Sequence, residues 1–317
     1  MELEVFAPVI IPTLNRFEHF KRCVESLSKC THADKTELVI GLDYPPSEKY
    51  VDGWKKICDY VQSISGFAEV TVFNHSVNLG PSKNLNELRE YVSKKYDSYI
   101  ASEDDNEFSP NFLDFINKGL EKYKDDPKVY AICGYNYPVN MEGYPYEYYY
   151  SHEFAAWGCG CWVKKQKYVF DVINSPGYII DFYRRYPLRT YFKNNLKLMY
   201  LATCIGDGYL GDVYLTSYLH SRNMFTVFPK ISKVRNWGHD GSGVNCGILE
   251  DASFYSSQPI DGRSDFVFEN IPFSINKKIN RRIVSFKNIP FKSKIRVLLL
   301  FVLVWTYARI KYLRLSL

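Results

Sequence analysis

The first half of the chain alternates between two hydrophobic rhythms. Short apolar runs at Val9-Ile10-Ile11, Leu38-Val39-Ile40-Gly41-Leu42 and Val70-Thr71-Val72-Phe73 have the length and β-branched content of buried strands. Other apolar residues recur at helical spacing: Phe17, Phe20, Val24 and Leu27, then Leu85, Leu88, Tyr91 and Val92 after the breaker Gly80-Pro81. A fourth strand pattern runs over Ser98-Tyr99-Ile100-Ala101, and Val129-Tyr130-Ala131-Ile132-Cys133 reads as a fifth. Between these two, Ser109-Pro110-Asn111-Phe112 has a cap-type serine and a proline suited to the first helical position. Strands alternating with helices predict an α/β fold, a doubly wound, mainly parallel sheet with helices on both faces.

The pattern loosens after Tyr135. Residues 135–150 hold seven tyrosines with little periodicity, Trp157-Gly158-Cys159-Gly160-Cys161-Trp162 is a Gly-aromatic block, and residues 165–225 read mainly as helix. Aromatic residues make up 17% of the 317, a content that serves either sugar-stacking surfaces or an aromatic core. This length suits one large domain with an appendage.

Charge changes the picture at the C-terminus. No acidic residue follows Glu269, while 11 of the 40 basic residues do, so the tail carries +11 against −6 for the rest. Such a tail suits anionic lipid headgroups or nucleic acid. The uncharged run from Val297 to Ala308 is shorter than the roughly 20 residues of a spanning helix. Basic residues flank it on both sides, and Trp305 and Tyr307 suit a headgroup boundary. A membrane-interface helix over residues 292–317 is therefore expected, with lipid favoured over nucleic acid by the apolar centre. The eight cysteines form no Cys-x-x-Cys pair and read as buried reduced thiols, and Met1-Glu2-Leu3-Glu4 lacks the basic start of an export signal. The expected location is cytoplasmic, peripheral on the inner face of the cell membrane.

Candidate chemistry is concentrated where the fourth strand ends, at Glu103-Asp104-Asp105. Three carboxylates at the tip of a buried strand cost free energy unless a cation or strong donors sit among them. Mg²⁺ and Mn²⁺ take carboxylate oxygens and often bridge them to substrate phosphates. A solvated acidic turn is the alternative. An EF-hand is excluded, because the alternating acids and the glycine of that loop are absent.

Several constellations follow in a telling order: Pro12-Thr13-Leu14-Asn15-Arg16 after the first strand, Asp43 after the second, Asn78-Leu79-Gly80-Pro81-Ser82-Lys83-Asn84 before a helix, then the acids. Together they resemble the GT-A nucleotide-sugar glycosyltransferases, especially the inverting family 2-like enzymes. The Glu-Asp-Asp form, with Phe108-Ser109-Pro110-Asn111-Phe112 after it, also resembles the N-acetylglucosaminyltransferase I type. The likeness covers residues 7 to 247. It implies a GT-A domain over 1–250, with a nucleotide-binding half at 1–134 and an acceptor or catalytic half at 135–250. A basic extension over 251–317 would follow.

The resemblance also implies roles. Pro12, Thr13 and Arg16 would hold ribose or diphosphate, Asp43 would accept a hydrogen bond from base or ribose, and Lys83 would meet the anionic donor. Asp105 would bind the metal, with Glu103 and Asp104 on ribose or donor-sugar hydroxyls, and Trp157 and Gly158 would line the sugar pocket. Gly211-Asp212-Val213-Tyr214-Leu215 resembles the acidic segment that opens a helix in family 2, with Leu215, Tyr218 and Leu219 as its buried face. Asp212 is the expected general base, with Asp207 of Gly206-Asp207-Gly208 in reserve. Arg235-Asn236-Trp237-Gly238-His239-Asp240-Gly241-Ser242-Gly243 resembles the loop that closes over the diphosphate, where His239 would bind the metal or a phosphate. Each residue has a structural alternative as a cap, a turn former, a solvated surface group or a core side chain. Two departures stand out: Tyr44 and prolines follow Asp43 where a second Asp is usual, and Gly211 replaces a frequent acid.

The expected function is a Mn²⁺- or Mg²⁺-dependent inverting glycosyltransferase. It would move a hexosyl or N-acetylhexosaminyl group from a UDP-sugar to a glycan or lipid-linked oligosaccharide in surface-polysaccharide assembly. Two alternatives are a noncatalytic glycan-binding or scaffold protein on the same fold, and a sugar-1-phosphate nucleotidyltransferase. The second needs a Gly-rich phosphate loop, and Pro12–Arg16 contains no glycine.

Overall fold

A computed structural model of the chain describes residues 5–175, 177, 178, 181, 182, 211–243 and 253–287. It also describes Leu299, Val302, Leu303, Trp305, Thr306, Tyr307 and Ile310 of the C-terminal segment. The alternating first half forms β1 (Val9–Thr13), α1 (Phe17–Leu27), β2 (Glu37–Leu42), α2 (Val51–Val61), β3 (Glu69–Asn74), α3 (Pro81–Ser93), β4 (Ser98–Ala101), β5 (Asn106–Phe108), α4 (Phe112–Lys122) and β6 (Val129–Cys133). There follow β7 (Tyr148–Ser151), β8 (Cys159–Trp162), α5 (Val163–Ile173), α6 (Gly211–Arg222), β9 (Phe225–Pro229), β10 (Val234–Asn236), a single turn α7 (Ser253–Ser256) and α8 (Lys277–Phe286).

Eight strands make one sheet in the order β3-β2-β1-β4-β8-β6-β9-β7. β3, β2, β1 and β4 run parallel, β8 lies antiparallel between β4 and β6, β9 is parallel to β6, and β7 closes the edge antiparallel to β9. This is the mixed, mainly parallel α/β sheet that the GT-A resemblance predicts. All six residues of β2 are buried, so both faces of the sheet are covered. Alternation along β8 shows how. Gly160 faces Ile116 and Leu120 of α4 so closely that a Cβ there would lie 2.5 Å from the Ile116 side chain. Its neighbour Cys161 pairs with Tyr99, whose hydroxyl bonds Gln166 of α5. α4 and α5 therefore cover opposite faces.

The chain passes from β1 outward to β2 and β3, then returns to place β4 on the other side of β1. That reversal is a topological switch point, where open α/β sheets bind ligands beyond the carboxyl ends of their strands. Thr13, Asp43 and the acids after β4 all stand at this end.

Two local expectations change. α4 starts at Phe112 after Asn111, not at Pro110 after a Ser109 cap. Ser109 extends the small β5–β10 pairing, its N–H donating to Lys233 O at 2.9 Å, so its backbone is committed elsewhere. The tyrosine-rich segment is core: Tyr135, Tyr137, Tyr144, Tyr148, Tyr149 and Tyr150 are buried, and β7 supplies the sheet edge. The Tyr123 hydroxyl meets those of Tyr148 at 3.1 Å and Tyr150 at 2.8 Å, satisfying these groups among themselves.

Residues 253–287, part of the basic extension expected over 251–317, pack against the preceding chain. Asp261 forms a buried ion pair with Lys233 and accepts from Asn111 Nδ2 at 3.0 Å and from Arg263 NH2 at 2.7 Å. Phe266 and Phe268 contact the Phe115 ring, Ile275 bridges Tyr150, and Ile279 and Ile283 of α8 are buried. Asn276 caps α8 by accepting from the N–H groups of Lys278 and Ile279. The net positive count beyond Glu269 had masked this apolar periodicity. Most of residues 292–317 lies outside the described residues. Among the described residues no helix is long and apolar enough to cross a membrane. All six described cysteines are unpaired.

The Lys233–Asp261 pair gives an asymmetric prediction. Asp261→Ala strands a buried ammonium and should cost about 3–5 kcal/mol in urea unfolding. Lys233→Met should cost less, because Arg263 and Asn111 still hold the carboxylate.

Candidate active site

The site is built from strand ends. Ser102 N–H donates to Ile10 O at 3.1 Å, extending the β1–β4 pairing by one step before the acids leave the sheet. Asp104 Oδ2 then accepts from Thr13 Oγ1 at 2.9 Å. Arg16, at the start of α1, ion-pairs with Asp104 and reaches Asp105 Oδ2 at 2.9 Å. Thr13, Arg16, Asp104 and Asp105 thus form one cluster. Pro12 lies one residue before it, paired with Gly41 of β2.

The other wall comes from β10. Its register sets Asn236 opposite Asn106, and Asn236 Nδ2 donates to Asp105 Oδ1 at 2.7 Å. Trp237 N–H donates to Asp105 O at 2.9 Å. Gly238 follows so closely that a Cβ would lie 2.1 Å from Asp105 Oδ2. This close approach brings His239 to the acidic cluster, where the Asp105 carboxylate influences its titration. Burial lowers the His239 pKa, while Asp105 and Asp240 oppose that shift. Both ring nitrogens of His239 are buried, and among the described residues neither has a hydrogen-bond partner. Its ring stacks on Tyr255 at 4.0 Å and stands edge-on to Trp157 at 5.7 Å. The same loop is tied to α1 through His19 Nε2 and Asp240 Oδ2, 2.8 Å apart.

Asp212 opens α6, and Leu215, Tyr218 and Leu219 form the buried face expected of that helix. Asp212 and Glu103 are exposed to solvent, yet enough protein surrounds each to disfavour its charged form. Loss of hydration, then Asp105, Asp212 and Asp104, pushes Glu103 up to about 8 against the opposing Arg16. Loss of hydration pushes Asp212 up to about 6, against Lys287 and a hydrogen bond from the Ala156 backbone. Burial also raises Asp104, with Arg16 opposing. The charge of Asp212 acts on Glu103, which puts both in one electrostatic neighbourhood. Gly158, at φ +65°, packs against Phe112 and Val234, while Trp157 stands against Tyr135 and His239.

Other expected residues have different surroundings. The carboxylate of Asp43 accepts from the N–H groups of Tyr44, Leu79 and Gly80 at 2.8–2.9 Å and from Asn78 Nδ2 at 3.2 Å. Those contacts fill the acceptor positions of a carboxylate and fix the 78–80 loop. Lys83 is exposed on the first turn of α3 and, among the described residues, makes no ion pair with the acids. Asp207 lies outside the described residues.

Three participants were not legible as such: Asn236, Tyr255 and Lys287. Lys287 Nζ lies 2.6 Å from Glu153 Oε2 and 4.4 Å from the Tyr137 ring centroid, and its charge reaches Asp212. No local sequence signal links a lysine after α8 to the start of α6. The Asn106–Asn236 match becomes visible only once β5 and β10 pair.

Among the described residues, no group of three or more His, Cys, Asp or Glu side chains forms a ready metal cage. Asp105 and His239 nevertheless suit a hard divalent cation. Such ions are commonly held by one or two protein groups, with waters and substrate phosphates completing the shell. The unbonded buried nitrogens of His239 are the observation that supports the fit.

The model of Glycosyl transferase family 2 matches residues 9–195. That is more than half of the chain, and the protein belongs to this family. It is a glycosyltransferase. No curated protein sequence matches it at a significant level. Similar solved structures include the mannosyltransferase PcManGT from Pyrobaculum calidifontis in complex with GDP-Man and Mn²⁺, at 13% identity over 70% of this chain and 74% of that chain, TM-score 0.37. TarS from S. aureus is 13% identical over 54% of this chain and 30% of its own length, TM-score 0.37. GalNAc-T7, solved with UDP, GalNAc and Mn²⁺, is 11% identical over 74% of this chain and 44% of its own length, TM-score 0.45.

Gly238 offers a direct test of this geometry. Gly238→Ala must push Asp105 or the loop aside, which should cost about 1–3 kcal/mol in thermal or urea unfolding.

Proposed function

We propose that the protein is a metal-dependent inverting glycosyltransferase that uses a nucleoside diphosphate-sugar, with UDP as the nucleotide implied by the resemblance. The observation that carries this reading is His239, a buried imidazole with two unbonded nitrogens, held beside Asp105 by the close approach of Gly238. When bound, a divalent cation held by Asp105 and His239 supplies Lewis-acid stabilisation of the departing diphosphate. Arg16 contributes a second positive charge on the same side. Glu103 and Asp104 offer acceptors for sugar hydroxyls.

Asp212 is the base in this reading. It removes the proton of the acceptor hydroxyl as that oxygen forms its bond to the anomeric carbon, from the face opposite the leaving diphosphate. Its carboxyl, raised to about 6, is matched to proton transfer near neutral pH. Lys287 keeps that value from rising further. The groups bearing on Asp212 are Lys287 and the Ala156 N–H, and its own charge reaches Glu103, Cys133, Cys159 and Tyr137.

The test is a nucleotide-sugar screen with Mn²⁺, with EDTA and with Asp105→Asn. Release of one nucleoside diphosphate, lost on chelation and in the variant, is expected. Donor binding that survives both treatments without turnover would favour a noncatalytic glycan-binding protein instead. Asp212→Asn should lower kcat by about 10²–10⁴-fold with donor affinity retained. In the wild type, kcat/KM should fall about tenfold per pH unit below about 6, as the base becomes protonated. Lys287→Met should move that limb to higher pH, whereas Lys287→Arg should leave it in place.

A further inference from the structure

The strand ends set out a line along which a nucleotide-sugar can lie. Asp212 stands on the β8 side of β4, where it takes a hydrogen bond from the Ala156 backbone shortly before β8. Asp104 and Asp105 follow β4, and Thr13 and Arg16 meet them from the end of β1. Asp43 comes next, after β2, with its N–H donating to Thr13 O at 2.9 Å. With the reacting sugar beside Asp212 and the diphosphate beside Asp105 and Arg16, the nucleoside falls at the end of β2. This placement rests on the roles proposed above for Asp212 and Asp105.

At that end, the carboxylate expected to accept from the base is already committed. Asp43 holds the N–H groups of Tyr44, Leu79 and Gly80 and the Asn78 side chain, as many donors as a carboxylate has lone-pair sites. A base N–H could reach it only by displacing one of them and leaving a backbone donor unpaired. Asn78 is occupied too, since its Nδ2 also donates to Tyr44 O at 2.6 Å.

The next residue offers a different way of holding a base. Tyr44 is 40% exposed. Its backbone is fixed on both sides, by the Asp43 carboxylate at its N–H and by Asn78 at its carbonyl. Its ring meets Trp54 of α2 with centroids 5.5 Å apart and planes at 64°, so Trp54 supports the ring without stacking over it. An aromatic ring anchored in this way, with surface left open, is a platform on which any base can stack.

We infer that Tyr44 carries recognition of the nucleobase by stacking, and that Asp43 shapes the loop without reading the base.

The test is calorimetric binding of UDP, CDP and inorganic pyrophosphate to the full chain at saturating Mn²⁺. Tyr44→Ala should weaken UDP by about tenfold or more, the usual loss when a stacking ring is removed. Pyrophosphate, which has no base, should bind this variant as it binds the wild type. Tyr44→Phe should keep the UDP affinity to within about threefold, because the ring and not the hydroxyl is used. Uracil and cytosine differ at N3, a donor in one and an acceptor in the other, which a carboxylate at the base edge would distinguish. Asp43→Asn should therefore leave the ratio of UDP to CDP affinity unchanged, even where a loosened 78–80 loop lowers both. Unchanged UDP binding by Tyr44→Ala would overturn the inference, and so would equal losses of UDP and pyrophosphate. A shift of about tenfold or more in the UDP-to-CDP ratio of Asp43→Asn would do the same. Each of these results leaves the glycosyltransferase reading standing, whereas a wild type that binds none of the three ligands would overturn both.

Discussion

The site depends on the contact between the Arg16 guanidinium and the two aspartates that follow β4. Asp104 and Asp105 leave a buried strand side by side, and Glu103 before them also feels the charge of Asp212. Like charges so placed repel strongly where water is scarce. Arg16 answers two of them at once, and neutral donors from Thr13 and Asn236 take further oxygens. The β1–β4 adjacency makes this possible, because it brings the residues after β1 to the residues after β4. The topology and the electrostatics therefore require each other. A sheet with β4 elsewhere would leave the aspartates without their cation.

The parts of this arrangement carried by local pattern were legible in the sequence. Unbroken runs such as Leu38–Leu42 became fully buried strands, and the apolar spacing of Phe20, Val24 and Leu27 became the inner face of α1. The acidic strand end and the loop after β1 were identified from residue type and order, and the structure brings Thr13, Arg16, Asp104 and Asp105 together. What was not legible rests on pairing between distant segments. β5 is three residues long and gains its partner 126 to 130 positions later, so its periodicity carries no signal. Ser109 looked like a helix cap because its local chemistry suits one. The ladder to Lys233 overrode that preference. In the same way a basic composition concealed that Ile279 and Ile283 are core residues.

Asp43 shows how residue type alone underdetermines role. An ionised carboxylate after a parallel strand is equally suited to a ligand and to a loop, since it only accepts. Four donors from the 44 and 78–80 segments occupy it, and it shapes the rim of the site by fixing backbone. His239 is the opposite case. A lone histidine in a sequence is usually a satisfied structural residue, but here the stacking on Tyr255 holds the ring while leaving both nitrogens unbonded. The unusual feature is the absence of hydrogen bonds around a buried polar group, which no sequence pattern can display.

These two observations combine into a constraint on ligand binding. A diphosphate is itself strongly anionic, and it must approach a cluster in which carboxylates outnumber the one guanidinium bonded to them. Loss of hydration first, and then the neighbouring carboxylates, push Glu103 up to about 8 against Arg16, so added negative charge is unwelcome here. Arg16 cannot serve the aspartates and an incoming diphosphate with the same donors. Either it turns from Asp104 and Asp105 toward the phosphates, which deepens the deficit among the acids, or it remains in place and offers the ligand little. Were a divalent cation held by Asp105 and His239, as the proposed function has it, it would relieve that conflict by offsetting the aspartates and leaving Arg16 to meet the ligand. The charge balance of the protein's own residues thus points in the same direction as the chemistry of its donor atoms.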